Sequence, residues 1–92
     1  MLDAPLPDLI LYGRPGCHLC EDTRELVTDL LDARRRAGLT APALVERNIE
    51  TNPAWQHAFF ETIPVLELGD QRVELATSAA RIRRLISDVL DA

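Results

Sequence analysis

The sequence predicts an α/β fold, a three-layer sandwich built on one mixed, four-stranded sheet. Three observations carry that reading. A short apolar run, Leu9–Tyr12, precedes a long helical pattern from His18 to Ala37 and a second strand over Ala43–Asn48. A strand–helix–strand opening implies a parallel pair joined by a right-handed crossover. Ile63–Leu68 and Gln71–Leu75 flank Gly69-Asp70, a hairpin turn that adds antiparallel strands. The last segment then sets Ile82, Leu85, Ile86, Val89 and Leu90 on one face of a helix.

The elements follow in the order β-α-β-α-β-β-α. The first strand is followed by Gly13-Arg14-Pro15-Gly16, which is loop chemistry. Along the first helix Cys20, Val27, Leu30, Leu31 and the stem of Arg34 share a face, and Glu21, Asp22, Glu25, Asp29 and Asp32 cover the other. Acidic early turns and Arg34-Arg35-Arg36 at the end suit the helix dipole, and Gly38 is the natural stop. The second strand follows Pro42 and offers Leu44 to the core. Asn52 caps a short helix that has Pro53 at its first position and runs to about Phe60, with Trp55 and Phe59 inward. Pro64 heads the third strand, where a strand tolerates it. Thr77 or Ser78 caps the last helix. No repeat, linker or low-complexity tract interrupts the pattern, so residues 1–92 are read as a single domain.

Composition narrows the function. Apolar residues make up 47% and charged residues 27%, as in globular proteins rather than disordered ones. A net charge of −5 argues against nucleic acid or an anionic membrane as partner. All ten basic residues are arginine. The start, Met1-Leu2-Asp3-Ala4-Pro5-Leu6-Pro7-Asp8, has no basic leader segment, and no run reaches the length of a membrane span. The expectation is a cytoplasmic monomer without a bound cofactor or metal. In that reducing compartment a Cys-x-x-Cys before a helix points to redox or metal chemistry rather than a structural disulfide.

Cys17-His18-Leu19-Cys20 holds the only two cysteines. On helical geometry their Cα atoms lie about 5 Å apart, inside the roughly 4.4–6.8 Å that a disulfide needs. Cys17 falls at the helix start, where backbone N–H groups and the dipole favour thiolate. Arg14, and His18 when protonated, add positive charge nearby, while Glu21 and Asp22 oppose it. Cys20, one turn in, faces the core. The expected division is that Cys17 attacks and Cys20 resolves the mixed disulfide. A zinc site would need two further ligands, and only His18 and His57 are available; His57 reads as an exposed helix residue. Arg81, Arg83 and Arg84 read as a solvated helix face, with Arg81 near enough to the helix start to meet an anionic substrate.

Tyr12-Gly13-Arg14-Pro15-Gly16-Cys17-His18-Leu19-Cys20, followed by Thr62-Ile63-Pro64-Val65-Leu66, resembles the glutaredoxin branch of the thioredoxin superfamily. Within it the chain is most similar to small bacterial glutaredoxin-like proteins with Cys-His-Leu-Cys, over Leu9 to Leu90. The resemblance implies a thioredoxin-like fold and a cis Pro64 facing the cysteines. It also implies that the Ile63 backbone pairs with a bound peptide or glutathione, and that Arg14 lies near the nucleophile and a substrate carboxylate. The implied activity is thiol–disulfide oxidoreduction of protein or glutathione mixed disulfides, with glutathione as co-substrate or a reductase as electron donor. The chain departs from the family in two places. His18 and Leu19 replace the usual Pro-Tyr, and Glu74-Leu75-Ala76-Thr77-Ser78-Ala79 replaces the Gly-Gly turn and Asp that hold glutathione. Thr77 and Ser78 could instead donate hydrogen bonds to a carboxylate at the helix start. Rival readings are a non-catalytic binding module using the Ile63-Pro64 edge, a thiol protein holding a metal or iron–sulfur cluster, and a glutathione-using transferase.

Overall fold

Side-chain alternation along β1 (Leu9–Gly13) organises the molecule, because this strand runs inside the sheet and must serve both faces. The structure is a computed structural model that describes residues 6–91; the leader reading on 1–5 lies outside the described residues. After β1 come α1 (His18–Arg36), β2 (Leu44–Asn48), a 3-10 turn (Ile49–Thr51), α2 (Pro53–Phe59), β3 (Val65–Leu68), β4 (Gln71–Val73) and α3 (Ala79–Leu90). The sheet order is β2-β1-β3-β4. β2 runs parallel to β1, with Leu9 opposite Leu44 and Gly13 opposite Asn48. β3 is antiparallel to β1, and β4 closes the hairpin with Arg72 opposite Glu67. The mixed four-stranded sheet and the element order agree with the sequence reading.

The alternation produces two clusters. Leu9 and Leu11 of β1 and Leu66 and Leu68 of β3 meet Val27 and Leu31 of α1 and Ile82, Leu85 and Ile86 of α3. Tyr12 and Val65 serve the other face with Ile49, Phe59 and the half-buried Trp55. Each fully buried leucine or isoleucine stabilises the fold by about 1.5–3 kcal/mol, so these faces hold the helices on the sheet. α1 is fixed further by Thr23, which is buried and donates its hydroxyl to the Ala76 carbonyl at 2.7 Å.

Several boundaries differ from expectation, each for a local reason. β2 begins at Leu44, although the Ala43 carbonyl still accepts the Leu9 N–H at 2.9 Å. The Asn48 side chain accepts the Glu50 N–H and turns the chain through the 3-10 turn, which the sequence reading did not include. β3 starts at Val65 rather than Ile63, because the Ile63 N–H turns back to the Phe59 carbonyl at 3.1 Å; the Ile63-Pro64 bond that follows is cis. β4 ends at Val73 because Leu75 takes a left-handed φ of +48°, which no strand accommodates. Ser78, not Thr77, caps α3: its Oγ accepts the Arg81 N–H. On α1 the inner face includes Thr23, and Leu30 is half-buried.

Candidate functional site

The loop between β1 and α1 builds the site. Gly16, at φ +79°, lets the chain reverse, and Cys17 takes the capping position of α1 with extended backbone. Its Sγ accepts the Cys20 N–H at 3.1 Å, so a sulfur stands where a serine or aspartate oxygen usually caps a helix. Cys17 and Cys20 are joined as a disulfide, their Cα atoms 5.2 Å apart. The two sulfurs are unequal: Cys20 is buried, at 7% exposure, whereas Cys17 is half-buried. Gly13 makes that burial possible. A Cβ on Gly13 would come within 3.1 Å of both Cβ and Sγ of Cys20.

Beside the pair lies the aromatic cluster. Cys20, Ile63, Tyr12, Phe59, Ile49 and Val65 pack as one group, with Cys17 and Trp55 against it. Tyr12 donates its hydroxyl to Glu67 Oε1 at 3.2 Å, and its ring centroid is 4.5 Å from Phe59 and 5.8 Å from Trp55. Burial, and then the adjacent Glu67 carboxylate, push the Tyr12 phenol above its ordinary pKa against the opposing pull of Arg47 and Arg72. The phenol therefore stays a neutral donor near neutral pH. Arg72 bonds Glu67 and lies 5.0 Å over Phe59, and Arg47 lies 5.1 Å over Trp55, both at cation–π range.

The residues singled out in the sequence are only partly brought together. Arg14 is exposed and shares with Gly13, Cys20, Arg24 and Glu46 a surface groove of about 390 Å³. His18 lies in solvent, its side chain 93% exposed and Nδ1 3.7 Å from Glu21. Ile63 packs beside the cysteines and Pro64 is fully buried, its carbonyl accepting the Ala76 N–H at 2.8 Å. Because the Ile63 N–H is already bonded to Phe59, only its carbonyl is open to an incoming chain. Thr77 is exposed and Ser78 half-buried; neither lines the groove, and Ser78 Oγ is the cap acceptor of α3. His57 is exposed on α2. Among the described residues no three His, Cys, Asp or Glu side chains gather into a metal-ligand set, and no helix is long and apolar enough to cross a membrane. The sequence reading did not include two residues now placed at the site, Gly13 as the partner of Cys20 and Leu75 as the left-handed residue beside Pro64. The first had a signal, a glycine four residues before Cys17; a leucine in left-handed backbone has none.

Comparison with known proteins agrees with this geometry. Residues 8–89 match the model of a glutaredoxin-like domain (DUF836). Among solved structures the chain is similar to the X-ray structure of XcR50 from X. campestris, with TM-score 0.67 and 27% identity over 87% of this chain and 96% of that one. It is also similar in fold to the solution NMR structure of Ne2328 from Nitrosomonas europaea, with TM-score 0.62 and 22% identity over 92% of this chain and 96% of that one. No curated protein matches.

Proposed function

This chain belongs to the glutaredoxin-like domain family, and from that premise we propose that it is a thiol–disulfide oxidoreductase acting on protein or glutathione mixed disulfides. The observation that carries the proposal is the sulfur of Cys17 at the helix cap, accepting the Cys20 N–H at 3.1 Å, within bonding reach of a buried partner. A helix start favours negative charge, so the geometry supports Cys17 as thiolate once the pair is reduced. That thiolate attacks one sulfur of the substrate disulfide, whose other sulfur leaves as a thiolate and takes up a proton. Cys20, having lost its own proton, then attacks Cys17 and expels the second substrate sulfur as a thiolate, which is protonated in turn. Two electrons and two protons pass to the substrate, and the protein keeps the Cys17–Cys20 disulfide.

In this reading Arg14 attracts an anionic substrate, with the exposed His18 at the rim. The Ile63 carbonyl is the group a substrate chain meets, with the buried Pro64 holding it in place, and Thr77 and Ser78 lie at the far end of its path. Glutathione or a reductase returns the electrons, and the protein works as a cytoplasmic monomer without a bound cofactor. Thiol alkylation of the reduced protein near pH 7 tests the core of the proposal. Cys20→Ser should leave a fast-reacting thiol, Cys17→Ser a slow one, and wild type should close its disulfide under mild oxidation. A Cys17 that alkylates no faster than free cysteine, in a protein that forms no disulfide, would overturn it.

A further inference from the structure

Leu6, Leu19, Leu39, Phe60 and Leu75 are the large apolar side chains left exposed among the described residues. Two of them lie on segments tied to each other: Thr23, one turn on from Leu19 in α1, donates to the carbonyl of Ala76, the neighbour of Leu75, at 2.7 Å. Leu19 stands between the cysteines in sequence and is 53% exposed. Leu75 belongs to the segment laid over the cis-proline turn: its N–H donates to the Thr62 carbonyl at 2.9 Å, and the Ala76 N–H to the Pro64 carbonyl at 2.8 Å. Ile63 lies between those two anchors, and its side chain packs in the cluster that holds the cysteines. The backbone thus fixes Leu75 against the segment whose Ile63 packs with the reactive pair.

Leu75 is also the one non-glycine residue with positive φ among the described residues, and it is 51% exposed. Left-handed backbone is unfavourable for a residue with a Cβ, and such strain persists where the surroundings enforce it, often at working surfaces. The core gains little from this leucine, because half of its side chain stays in water. A strained, exposed leucine held against the segment that packs with a disulfide offers an apolar contact to whatever brings a second disulfide there.

We propose that Leu19 and Leu75 form an apolar grip selecting polypeptide disulfides whose cysteine is flanked by large apolar side chains. The inference rests on the redox reading above and names the substrate class of that same site. Glutathione fits this grip poorly, because its two other residues carry charge and no apolar side chain. An apolar-flanked polypeptide supplies the side chain that glutathione lacks. The sulfur chemistry is the exchange already described, with both electrons coming from the Cys17/Cys20 dithiol.

The test uses pre-reduced protein and two synthetic peptides, each closed by one disulfide and differing only in leucine or serine on either side of one cysteine. Wild type should reduce the leucine peptide about tenfold faster than the serine peptide, the scale of one apolar contact. Leu75→Gly and Leu75→Asn both accept left-handed backbone, so they keep the fold, and thermal unfolding checks that they do. Both should bring the ratio of the two rates close to one, and Leu75→Met should restore it. Equal rates for the two peptides in wild type, or a preference untouched by Leu75→Gly and Leu75→Asn, would overturn the grip while leaving the redox reading intact. Reduction of neither peptide would overturn the redox reading and the grip together.

Discussion

Gly13 shows how one missing side chain sets the chemistry of a neighbour. A methyl group there would sit 3.1 Å from Cβ and Sγ of Cys20. The contact with Cβ is the same in both redox states, but the reduced sulfur can rotate away from such a group, whereas the oxidised one is tied to Cys17 and cannot. Overpacking of this kind costs about 1–3 kcal/mol. Gly13→Ala should therefore shift the equilibrium toward the dithiol by about tenfold, equivalent to about 30 mV. Titration of both proteins against glutathione redox buffers measures it, and an unchanged or more reducing midpoint would refute the squeeze. At this scale the sequence is informative where spacing dictates position. Cys17 at the helix cap and Cys20 one turn inside follow from three residues of separation, and so does their unequal burial. The orientation of His18 does not, since the first turn of a helix offers solvent as readily as a substrate. Leu75 was legible only as part of a strand, because its backbone conformation is imposed by the bonds to Thr62 and Pro64, both distant in sequence.

Among the elements, α1 is held at both ends by contacts the apolar pattern does not reveal. Near its start Thr23 bonds the Ala76 carbonyl, an interaction contributing about 1 kcal/mol and one that ties the helix to the segment carrying Leu75. At its end Arg34, expected to contribute only its stem, donates Nε to the Thr40 carbonyl and both terminal nitrogens to Asp91, joining the last turns of α1 and α3. The Arg34 hydrogen bond holds the Asp91 carboxyl below its ordinary range; desolvation opposes this, and the Arg34 charge and Ser87 add to it. A lowered carboxylate pKa means the clamp is fully present above about pH 4 and is lost as the pH falls through the folded-state value. Asp91→Asn should accordingly unfold at lower denaturant than wild type at neutral pH, with the gap closing in acid. Urea midpoints followed from pH 7 downward check this, and a gap independent of pH would rule the clamp out. The strands and helices themselves were readable because apolar periodicity and caps are local. The 3-10 turn, the late start of β3 and the early end of β4 were not, because each is set by a hydrogen bond across the turn.

For the molecule as a whole, the sheet separates two apolar clusters, and the disulfide sits where the start of α1 reaches the cluster on the α2 face. The strand order leaves β2 and β4 as the edges and keeps the site-bearing β1 inside. That layout was legible in the sequence, since a parallel opening followed by a hairpin leaves few arrangements. The aromatic cluster has a further use. Trp55 is the only tryptophan, and it packs in the same cluster as Cys17 and Cys20, 5.8 Å from Tyr12. A disulfide drains the excited state of a nearby indole more efficiently than two thiols do, so the protein carries its own optical gauge. Emission from Trp55 should brighten as the bond opens and dim as it closes, with no label attached. A spectrum indifferent to reductant would show that the indole and the sulfurs are not in communication. With that signal in hand, each opening and closing of the bond can be timed in the fluorimeter from the protein's own light.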